Sequence, residues 1–372
     1  MKHLLLIFYI FFLMTPVFCQ ETGVLFQYKN SSGLVWKIFG NQPQVALDAI
    51  KSKGLTKAQV HEQFDCVVAV ADVSIDVNEG EVFCIMGLSG SGKSTLVRHF
   101  NRLLEPTSGE IIIDGTNVMN LTSRDLQKFR NERIGMVFQS FALMPHRSVL
   151  DNVAMPLEIR GIGTNERLQQ ASEVLEIVEL GAWGNKFAHE LSGGMQQRVG
   201  LARAISANPD LLLMDEPFSA LDPLIRKQMQ DEFIKLSKKL KKTTVFITHD
   251  LDEAVRIGDR IAIMKDGYID QIGTAEEIVM SPATDYVAEF VSGISRLKMV
   301  KANEIMQPLN AREFDLDTSG FAKIEHDATF TDTINLAISC GSDIIVTKSN
   351  RAVGIIKSLD ILKTVIEVPE TS

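Results

Sequence analysis

Short apolar runs alternate with longer segments of helical periodicity across residues 67–280. The runs at 81–86, 111–114, 134–138, 211–214, 244–247 and 260–264 have the length and composition of buried strands. Helical spacing is clearest at 221–242, where Ile225, Met229, Phe233 and Leu236 recur on one face. Strands that alternate with helices in this way predict an α/β domain built largely on a parallel sheet.

Three segments lie outside this alternation. Residues 41–65 have a helical pattern, and we interpret them as a helical insert within a main domain that spans 23–298. Residues 299–372 predict a separate small α+β domain, with strands at 344–347 and 353–356. Residues 1–22 hold an apolar run that is too short to span a hydrocarbon core and is typical of a signal sequence. A start codon assigned too far upstream would explain this run equally well.

Composition narrows the possible functions. The chain of 372 residues is long enough for two domains, and its 38 Lys and Arg against 47 Asp and Glu give a net charge of −9. General binding to nucleic acid requires cationic side chains that neutralise phosphates, so nucleic acid is not an expected partner. The four scattered cysteines form no C-x-x-C pair, which argues against a zinc framework or a disulfide scaffold.

A glycine-rich motif connects the predicted strand at 81–86 to a helix expected at 96–104. Its sequence from Gly87 to Thr95 matches the G-x-x-x-x-G-K-[ST] pattern of a phosphate-binding loop, the P-loop. In such a loop the backbone amides surround a polyphosphate, Lys93 reaches its β- and γ-phosphates, and the Ser94 hydroxyl binds Mg²⁺. Lys93 is therefore a predicted catalytic residue as well. The predicted nucleotide-binding residues of this motif are Gly87, Ser89, Gly90, Ser91, Gly92, Lys93, Ser94 and Thr95.

Two adjacent carboxylates follow the predicted strand at 211–214. Asp215 suits the support of Mg²⁺, and Glu216 suits a general base for a water molecule that attacks the γ-phosphate. An acidic pair after a strand is more often a solvated strand end. The phosphate-binding loop in the same chain favours the catalytic interpretation.

A second candidate for phosphate binding begins at Ser192, which is followed by Gly193 and Gly194. Serine is a good N-cap, and the two glycines leave the first amides of the following helix accessible to an anion. The simpler interpretation is an ordinary capped helix.

With this segment the sequence resembles the ATP-binding cassette (ABC) ATPases, whose signature is L-S-G-G-x-Q. The resemblance covers about residues 34–292 and implies a P-loop ABC ATPase domain with a helical subdomain. It implies that Gln139 lies in the Q-loop and contacts Mg²⁺, that Asp222 belongs to the D-loop at the nucleotide, and that His249 is the catalytic switch histidine. It also implies that the signature residues Ser192, Gly193 and Gly194 bind the nucleotide held by a second copy of the chain.

Longer stretches resemble a narrower family, the ATPase subunits of quaternary-amine (glycine betaine/proline betaine) importers. These stretches are residues 35–40, 54–59, 138–146, 222–226 and 256–264. Phe39 occupies the place of the aromatic residue that stacks on adenine, although the insert separates it from the P-loop. Residues 323–366 resemble a single CBS (cystathionine-β-synthase) module. Because such modules normally work in pairs, and Lys357 replaces the usual ribose-contacting Ser or Thr, regulation or dimer contact is expected there rather than nucleotide binding.

The resemblance implies an ATP-hydrolysing subunit of an importer for a quaternary amine or betaine-type osmolyte, with ATP and Mg²⁺ as cofactors. The implied partners are a second copy in an ATP-sandwich dimer, integral membrane permease subunits that contact the apolar segment 141–146, and indirectly a substrate-binding protein. The implied location is the cytoplasmic face of the inner membrane. Which amine is carried stays open, with glycine betaine, proline betaine and choline as candidates.

Two other classes of protein share some of these motifs. A soluble ABC-type ATPase of DNA repair would carry a coiled coil or zinc cysteines between Gln139 and the signature, and one of translation would carry two cassettes. This sequence has neither feature. A P-loop kinase would leave the signature unexplained.

Overall fold

The computed structural model describes residues 24–28, 34–292, 300–309, 320–349 and 351–367. The leader-like segment at 1–22 lies outside these residues. The described strands are β1 (Val24–Tyr28), β2 (Val35–Phe39), β3 (Val67–Val73), β4 (Ile75–Asn78), β5 (Val82–Met86), β6 (Ile112–Ile113), β7 (Thr116–Asn117), β8 (Ile134–Val137), β9 (Leu211–Asp215), β10 (Thr243–Thr248), β11 (Arg260–Lys265), β12 (Tyr268–Gly273), β13 (Gln307–Pro308), β14 (Ala322–Glu325), β15 (Ile344–Lys348) and β16 (Arg351–Ile356).

The described α-helices are α1 (Pro43–Lys53), α2 (Lys57–Phe64), α3 (Lys93–Phe100), α4 (Ser123–Arg133), α5 (Val149–Ile159), α6 (Thr164–Ile177), α7 (Gly193–Ser206), α8 (Pro223–Leu240), α9 (Leu251–Ile257), α10 (Ala275–Met280), α11 (Asp285–Val291), α12 (Ala302–Ile305), α13 (Phe330–Cys340) and α14 (Ser358–Glu367). Among the described residues, no helix has both the length and the apolar character needed to cross a membrane.

The central sheet has six strands in the order β12-β11-β5-β10-β9-β8. All neighbours from β11 to β8 pair in parallel, and only β12 is antiparallel. Side chains of a strand alternate between the two faces of a sheet, so Val82, Cys84 and Met86 join one core while Phe83 and Ile85 join the other. Strand β5 is therefore buried on both faces, as the apolar run at 81–86 predicted. The α/β prediction is confirmed.

The insert predicted at 41–65 forms α1 and α2, which precede the central sheet. The two helices pack on the β2–β3 pair through a small core that includes Trp36, Ile38, Leu47, Val60 and Val68. Gly54 ends α1 in the left-handed conformation, with φ of 65°, and Thr56 caps α2 by accepting a hydrogen bond from the amide of Gln59. The insert therefore has its own core and a defined turn.

A helical subdomain begins after β8, the edge strand of the central sheet. Helices α5, α6 and α7 share a core built from Val153, Ala171, Leu175 and Val199, among other residues.

Strand β1 belongs to a separate antiparallel sheet in the order β4-β1-β6-β7.

The described part of the C-terminal region holds a four-stranded sheet in the order β13-β16-β15-β14 with helices α12, α13 and α14. Strands β15 and β16 lie where strands were predicted, at 344–347 and 353–356. Their buried residues Ile344, Val346 and Ile356 form a separate small core. This arrangement is α+β, and the CBS-like interpretation stays a prediction.

Two helix boundaries differ from the sequence prediction. The helix expected at 96–104 is α3, which begins at Lys93 inside the glycine-rich motif, because Gly92 serves as its N-cap in a left-handed conformation with φ of 103°. It ends at Phe100, since Arg102 also has a positive φ of 51° and turns the chain. The helix expected at 221–242 is α8, which Asp222 caps at its start.

Candidate active site

The predicted catalytic residues follow four neighbouring parallel strands. The P-loop follows β5, Gln139 lies two residues after β8, Asp215 ends β9, and His249 follows β10. These four strands are adjacent in the order β5-β10-β9-β8. Because the carboxyl ends of parallel strands meet at one edge of a sheet, the fold brings these residues together, and such an edge is the usual ligand site of α/β folds.

The P-loop turns sharply and leaves no room for a side chain at two of its glycines. Gly87 and Gly92 have φ of 151° and 103°. A Cβ at Gly87 would lie 2.2 Å from the carbonyl oxygen of Met264, and one at Gly92 would lie 2.3 Å from that of Ala69. Only glycine fits these positions, so the loop is closely packed against β11 and β3.

Lys93 lies under the P-loop and is almost fully buried. Its Nζ donates hydrogen bonds to the carbonyl oxygens of Gly87, at 2.8 Å, and Leu88, at 3.0 Å. Burial lowers the pKa of Lys93, while the carboxylates of Glu216 and Asp215 oppose that shift. The amine therefore lies in the field of Glu216 and Asp215, the two carboxylates that the sequence predicted at the catalytic site.

Ser94 and Asp215 meet beside the loop. The Ser94 hydroxyl donates to Oδ1 of Asp215 at 3.1 Å, which joins the first turn of α3 to the end of β9. Burial raises the pKa of Asp215, and the Ser94 hydrogen bond and the Arg98 charge act against that rise. A hydroxyl and a carboxylate in contact are hard oxygen donors of the kind that Mg²⁺ prefers, so these residues fit the predicted metal.

Glu216 lies at the centre of the remaining contacts. Its Oε2 is 3.1 Å from Nδ1 of His249 and accepts a hydrogen bond from Nε2 of Gln139 at 3.4 Å. The Glu216 side chain is only 19% exposed, whereas that of His249 is 57% exposed. A carboxylate oriented from two sides and partly shielded from water can act as a general base.

The backbone of Glu216 is also unusual. Its φ is +46°, a left-handed conformation that costs a non-glycine residue free energy. Three hydrogen bonds hold it there. The Glu216 amide donates to the carbonyl of Ile247 at 3.1 Å, and the amide and hydroxyl of Ser219 donate to the carbonyl of Glu216 at 3.3 and 2.9 Å. The sequence predicted the carboxylate but gave no sign of this conformation.

The signature residues lie at the start of α7, in the helical subdomain. Ser192 caps the helix by accepting a hydrogen bond from the amide of Met195, as predicted, and Ser192 and Gly193 are exposed. A Cβ at Gly193 would lie 3.5 Å from Leu221 and 3.8 Å from Phe141. The signature therefore packs beside the D-loop and the segment after the Q-loop.

Asp222 is exposed, and its carboxylate caps α8 by accepting from the amide of Ile225 at 3.1 Å. Arg226, which was not predicted to act at the site, donates to the carbonyl of Leu221 at 3.1 Å and forms an ion pair with Asp250 at 3.7 Å. It thereby ties the D-loop to the segment after His249. The sequence could have pointed to Arg226 only through its position, one turn after Asp222 on a predicted helix.

Phe39 ends β2 and is 39% exposed. It pairs with Val67 at the start of β3, the strand whose Ala69 carbonyl lies against Gly92 of the P-loop. The ammonium group of Lys37 lies 4.9 Å from the centre of its ring. The insert begins after Phe39 and ends before Val67, and these two residues pair across β2 and β3. Phe39 therefore stays beside β3, the strand that packs against the P-loop, despite the long sequence separation.

Comparison with known proteins agrees with this geometry. Residues 70–219 match the family model described as ABC transporter. The glycine betaine/proline betaine transport system ATP-binding protein ProV of Salmonella typhimurium is 53% identical over 271 residues, which are 73% of this chain and 68% of that protein. The trimethylamine N-oxide transport system ATP-binding protein TmoW of Pelagibacter ubique is 45% identical over 332 residues, 89% of this chain and 95% of that protein. The chain belongs to the ABC transporter ATP-binding proteins.

A solved structure adds to the likeness. The ATP-binding cassette MJ0796, in a dimeric post-hydrolysis state bound to ADP and Pi, superimposes with a TM-score of 0.55 at 33% identity. The superposition covers 67% of this chain and 98% of the MJ0796 chain. The protein is thus an ABC ATPase that binds ATP and couples its hydrolysis to transport, and the DNA-repair, translation and kinase alternatives are disfavoured.

Proposed function

We propose that this ABC ATPase powers the import of a quaternary amine or betaine-type osmolyte. The observation that carries the proposal is the 53% identity to a glycine betaine/proline betaine transport ATP-binding protein, joined to 45% identity over 89% of the chain to a trimethylamine N-oxide transport ATP-binding protein. The three named solutes, glycine betaine, proline betaine and trimethylamine N-oxide, are all small molecules with a methylated nitrogen. The transported solute belongs to that chemical class, and other subunits select the particular solute within it.

We propose that hydrolysis proceeds by direct attack of water on the γ-phosphorus of ATP. The P-loop amides and Lys93 bind the phosphates, while Phe39 stacks on adenine. Glu216 takes a proton from the attacking water as the new phosphorus–oxygen bond forms and the bond to the ADP oxygen breaks. His249 and Gln139 orient Glu216 through the contacts of 3.1 and 3.4 Å at its Oε2.

Ser94 and Asp215 are the residues proposed to hold Mg²⁺, and Gln139 is a further ligand from the Q-loop. When bound, Mg²⁺ would neutralise charge on the phosphate oxygens. The hydroxyl–carboxylate contact of 3.1 Å places the first two donors side by side. Asp215 also counters the charge of Lys93 in this partly buried site.

Two copies of the chain form the working unit in this proposal. Ser192, Gly193 and Gly194 of one copy complete the nucleotide site on the P-loop of the other, with Asp222 at the same interface. Support comes from the exposure of Ser192 and Gly193, and from the dimeric cassettes among the structural relatives.

The proposed membrane partners are permease subunits that dock beside the Q-loop, at the cytoplasmic face of the inner membrane. A groove of about 290 Å³ lies there, with Phe138, Ala142, Met155 and Ile159 in its lining. Within the segment 141–146, Phe141 and Leu143 pack against internal cores, so the contact surface is narrower than the sequence suggested. A substrate-binding protein would act through the permease. The C-terminal CBS-like domain would regulate the assembly.

The test is transport in proteoliposomes that contain this chain with its permease subunits and binding protein. Uptake of radiolabelled glycine betaine should require internal ATP and should be reduced by excess unlabelled quaternary amines of similar size. A Lys93→Ala chain should assemble but support neither hydrolysis nor uptake. ATP-driven uptake of an unrelated solute, with no effect of any amine, would contradict the proposal.

A further inference from the structure

Lys57 occupies a position that is electrostatically unfavourable for a cation. It is the first residue of α2, where the helix dipole disfavours positive charge, and its side chain is only partly exposed. Burial lowers its pKa, with Asp266 acting in the opposite direction. Lys51 and Lys53, one helix earlier, are exposed. A charge kept at such a site needs a compensating contact.

That contact is with the turn between β11 and β12. The Nζ of Lys57 lies 4.6 Å from the centre of the Tyr268 ring, within cation–π range. A Cβ at the neighbouring Gly267 would lie 2.9 Å from the same Nζ. The helical insert therefore reaches a turn that comes some two hundred residues later in the chain.

The same turn is bonded to the P-loop. The amide of Gly267 donates to the carbonyl of Ser91 at 2.9 Å, and the carbonyl of Gly267 accepts from the amide of Ala71 at 2.8 Å. Gly267 and Gly92 both lie against the carbonyl oxygen of Ala69, where a Cβ would come within 2.7 and 2.3 Å. A shift of the turn would therefore be passed to the P-loop directly, since no space separates them.

We propose that the insert is a positioning element for the nucleotide site, with Lys57 and Tyr268 as its positioning residues. Lys57 fixes the turn from outside, and the turn fixes the carbonyl of Ser91, so that the P-loop keeps its amides directed toward phosphate. Neither side chain takes part in the chemical step. The inference rests on the proposed phosphate-binding role of the P-loop.

Such a role affects nucleotide affinity more than turnover. Loss of the Lys57 charge should weaken ADP binding and raise the KM for ATP by about 3- to 10-fold, the range that one partly buried cation–π contact can supply. The kcat should stay within about twofold of the parent, because Glu216 and its partners are untouched.

The experiment uses the full-length chain and titration calorimetry with Mg-ADP, together with steady-state hydrolysis. Lys57→Met keeps the apolar stem but removes the charge, and should show the predicted affinity loss. Lys57→Arg keeps the cation and Tyr268→Phe keeps the aromatic ring, so both variants should bind ADP like the parent. Lys53→Ala, a nearby exposed lysine, is the matched control and should be unchanged.

Tyr268→Leu should reproduce the Lys57→Met loss, and the double variant should lose no more than either single one. Thermal unfolding without nucleotide identifies any variant that has lost its fold. Parent-like ADP binding by Lys57→Met, or an equal loss in Lys57→Arg, would overturn the inference. Failure of Lys93→Ala to impair hydrolysis would instead count against the proposed role of the P-loop.

Discussion

At the scale of single residues, Glu216 combines three features in one position. Its backbone is left-handed, its carboxylate meets both His249 and Gln139, and its side chain is mostly shielded. Strained backbone at a site with convergent polar contacts is typical of functional residues, because the surrounding structure must maintain it.

The first prediction concerns Glu216→Gln. The amide keeps the size of the side chain but cannot take up the proton of the attacking water, so ATP turnover should fall by roughly 10²–10⁴. Binding of Mg-ATP should persist, because it depends on the P-loop and Lys93. Phosphate release measures the first effect and nucleotide titration the second. Glu289→Gln, at an exposed carboxylate on α11, is the control. Hydrolysis at the parent rate would remove Glu216 from the mechanism.

The second prediction concerns His99, a buried residue of α3. Burial, with a smaller effect of Lys37, lowers its pKa from 6.5 to about 3. Below pH 6.5 the unfolded chain binds a proton that the folded chain does not, so this residue stabilises the fold fully above pH 6.5 and loses that contribution as the pH falls toward 3. The free energy of unfolding should therefore drop by up to about 1.4 kcal/mol per pH unit from this group.

The measurement is urea unfolding between pH 7 and pH 4 for the parent and for His99→Gln. The variant lacks the titrating ring, so its free energy of unfolding should fall less steeply over this window, while the carboxylates contribute equally to both. Identical slopes in the two proteins would show that His99 titrates alike when folded and unfolded.

At the scale of elements, the apolar pattern predicted the strands that carry the site, because β5, β9 and β10 are buried on both faces and are therefore mostly apolar, although β10 also contains buried threonines. It also predicted the helices of the insert and two of the C-terminal strands, β15 and β16, but not β13 and β14. It misplaced the ends of α3, since the left-handed Gly92 begins the helix within a motif that looks like a loop. Contacts between distant segments, such as Lys57 with Tyr268 or Gln139 with Glu216, have no local pattern and could not be predicted.

The segment after the Q-loop supports the third prediction. The buried side chain of Asn152 accepts from the amide of Met144 at 2.7 Å and donates to the carbonyls of Met144, at 3.1 Å, and Arg147, at 3.2 Å. This network fixes the backbone at Met144, while Met144 itself stays partly exposed. Met144→Asp should therefore leave the fold and the ATPase activity of the isolated subunit intact, yet abolish solute uptake by placing a charge against the permease.

Met144→Leu, which keeps an apolar side chain of similar volume, should transport normally and is the matched control. Both variants are measured for ATP hydrolysis in solution and for uptake in proteoliposomes. An equal loss of hydrolysis and uptake in Met144→Asp would indicate that the residue supports the core rather than the contact with a partner.

At the scale of the whole molecule, the two motifs proposed to bind phosphate have different surroundings. The P-loop packs between β3 and β11, at Ala69 and Met264, whereas the signature packs beside Leu221 and Phe141. Ser192 and Gly193 are exposed at the start of a helix of 14 residues, where the first amides have no backbone acceptor within the helix. A signature that completes the P-loop site of a second copy explains why one chain carries both motifs.

The last prediction tests this arrangement by mixing two inactive chains. Lys93→Ala disables the P-loop, and Ser192→Arg blocks the signature, so each homodimer should be inactive. In a mixed dimer, one site combines both defects, while the other combines the intact P-loop of the Ser192→Arg chain with the intact signature of the Lys93→Ala chain. With equal amounts and independent sites, about a quarter of the parent ATPase rate should return, since half of the dimers are mixed and each has one working site of two. Hydrolysis is measured for each variant alone and for the mixture after incubation with ATP. Activity no greater than the sum of the separate variants would mean that each chain completes its own site.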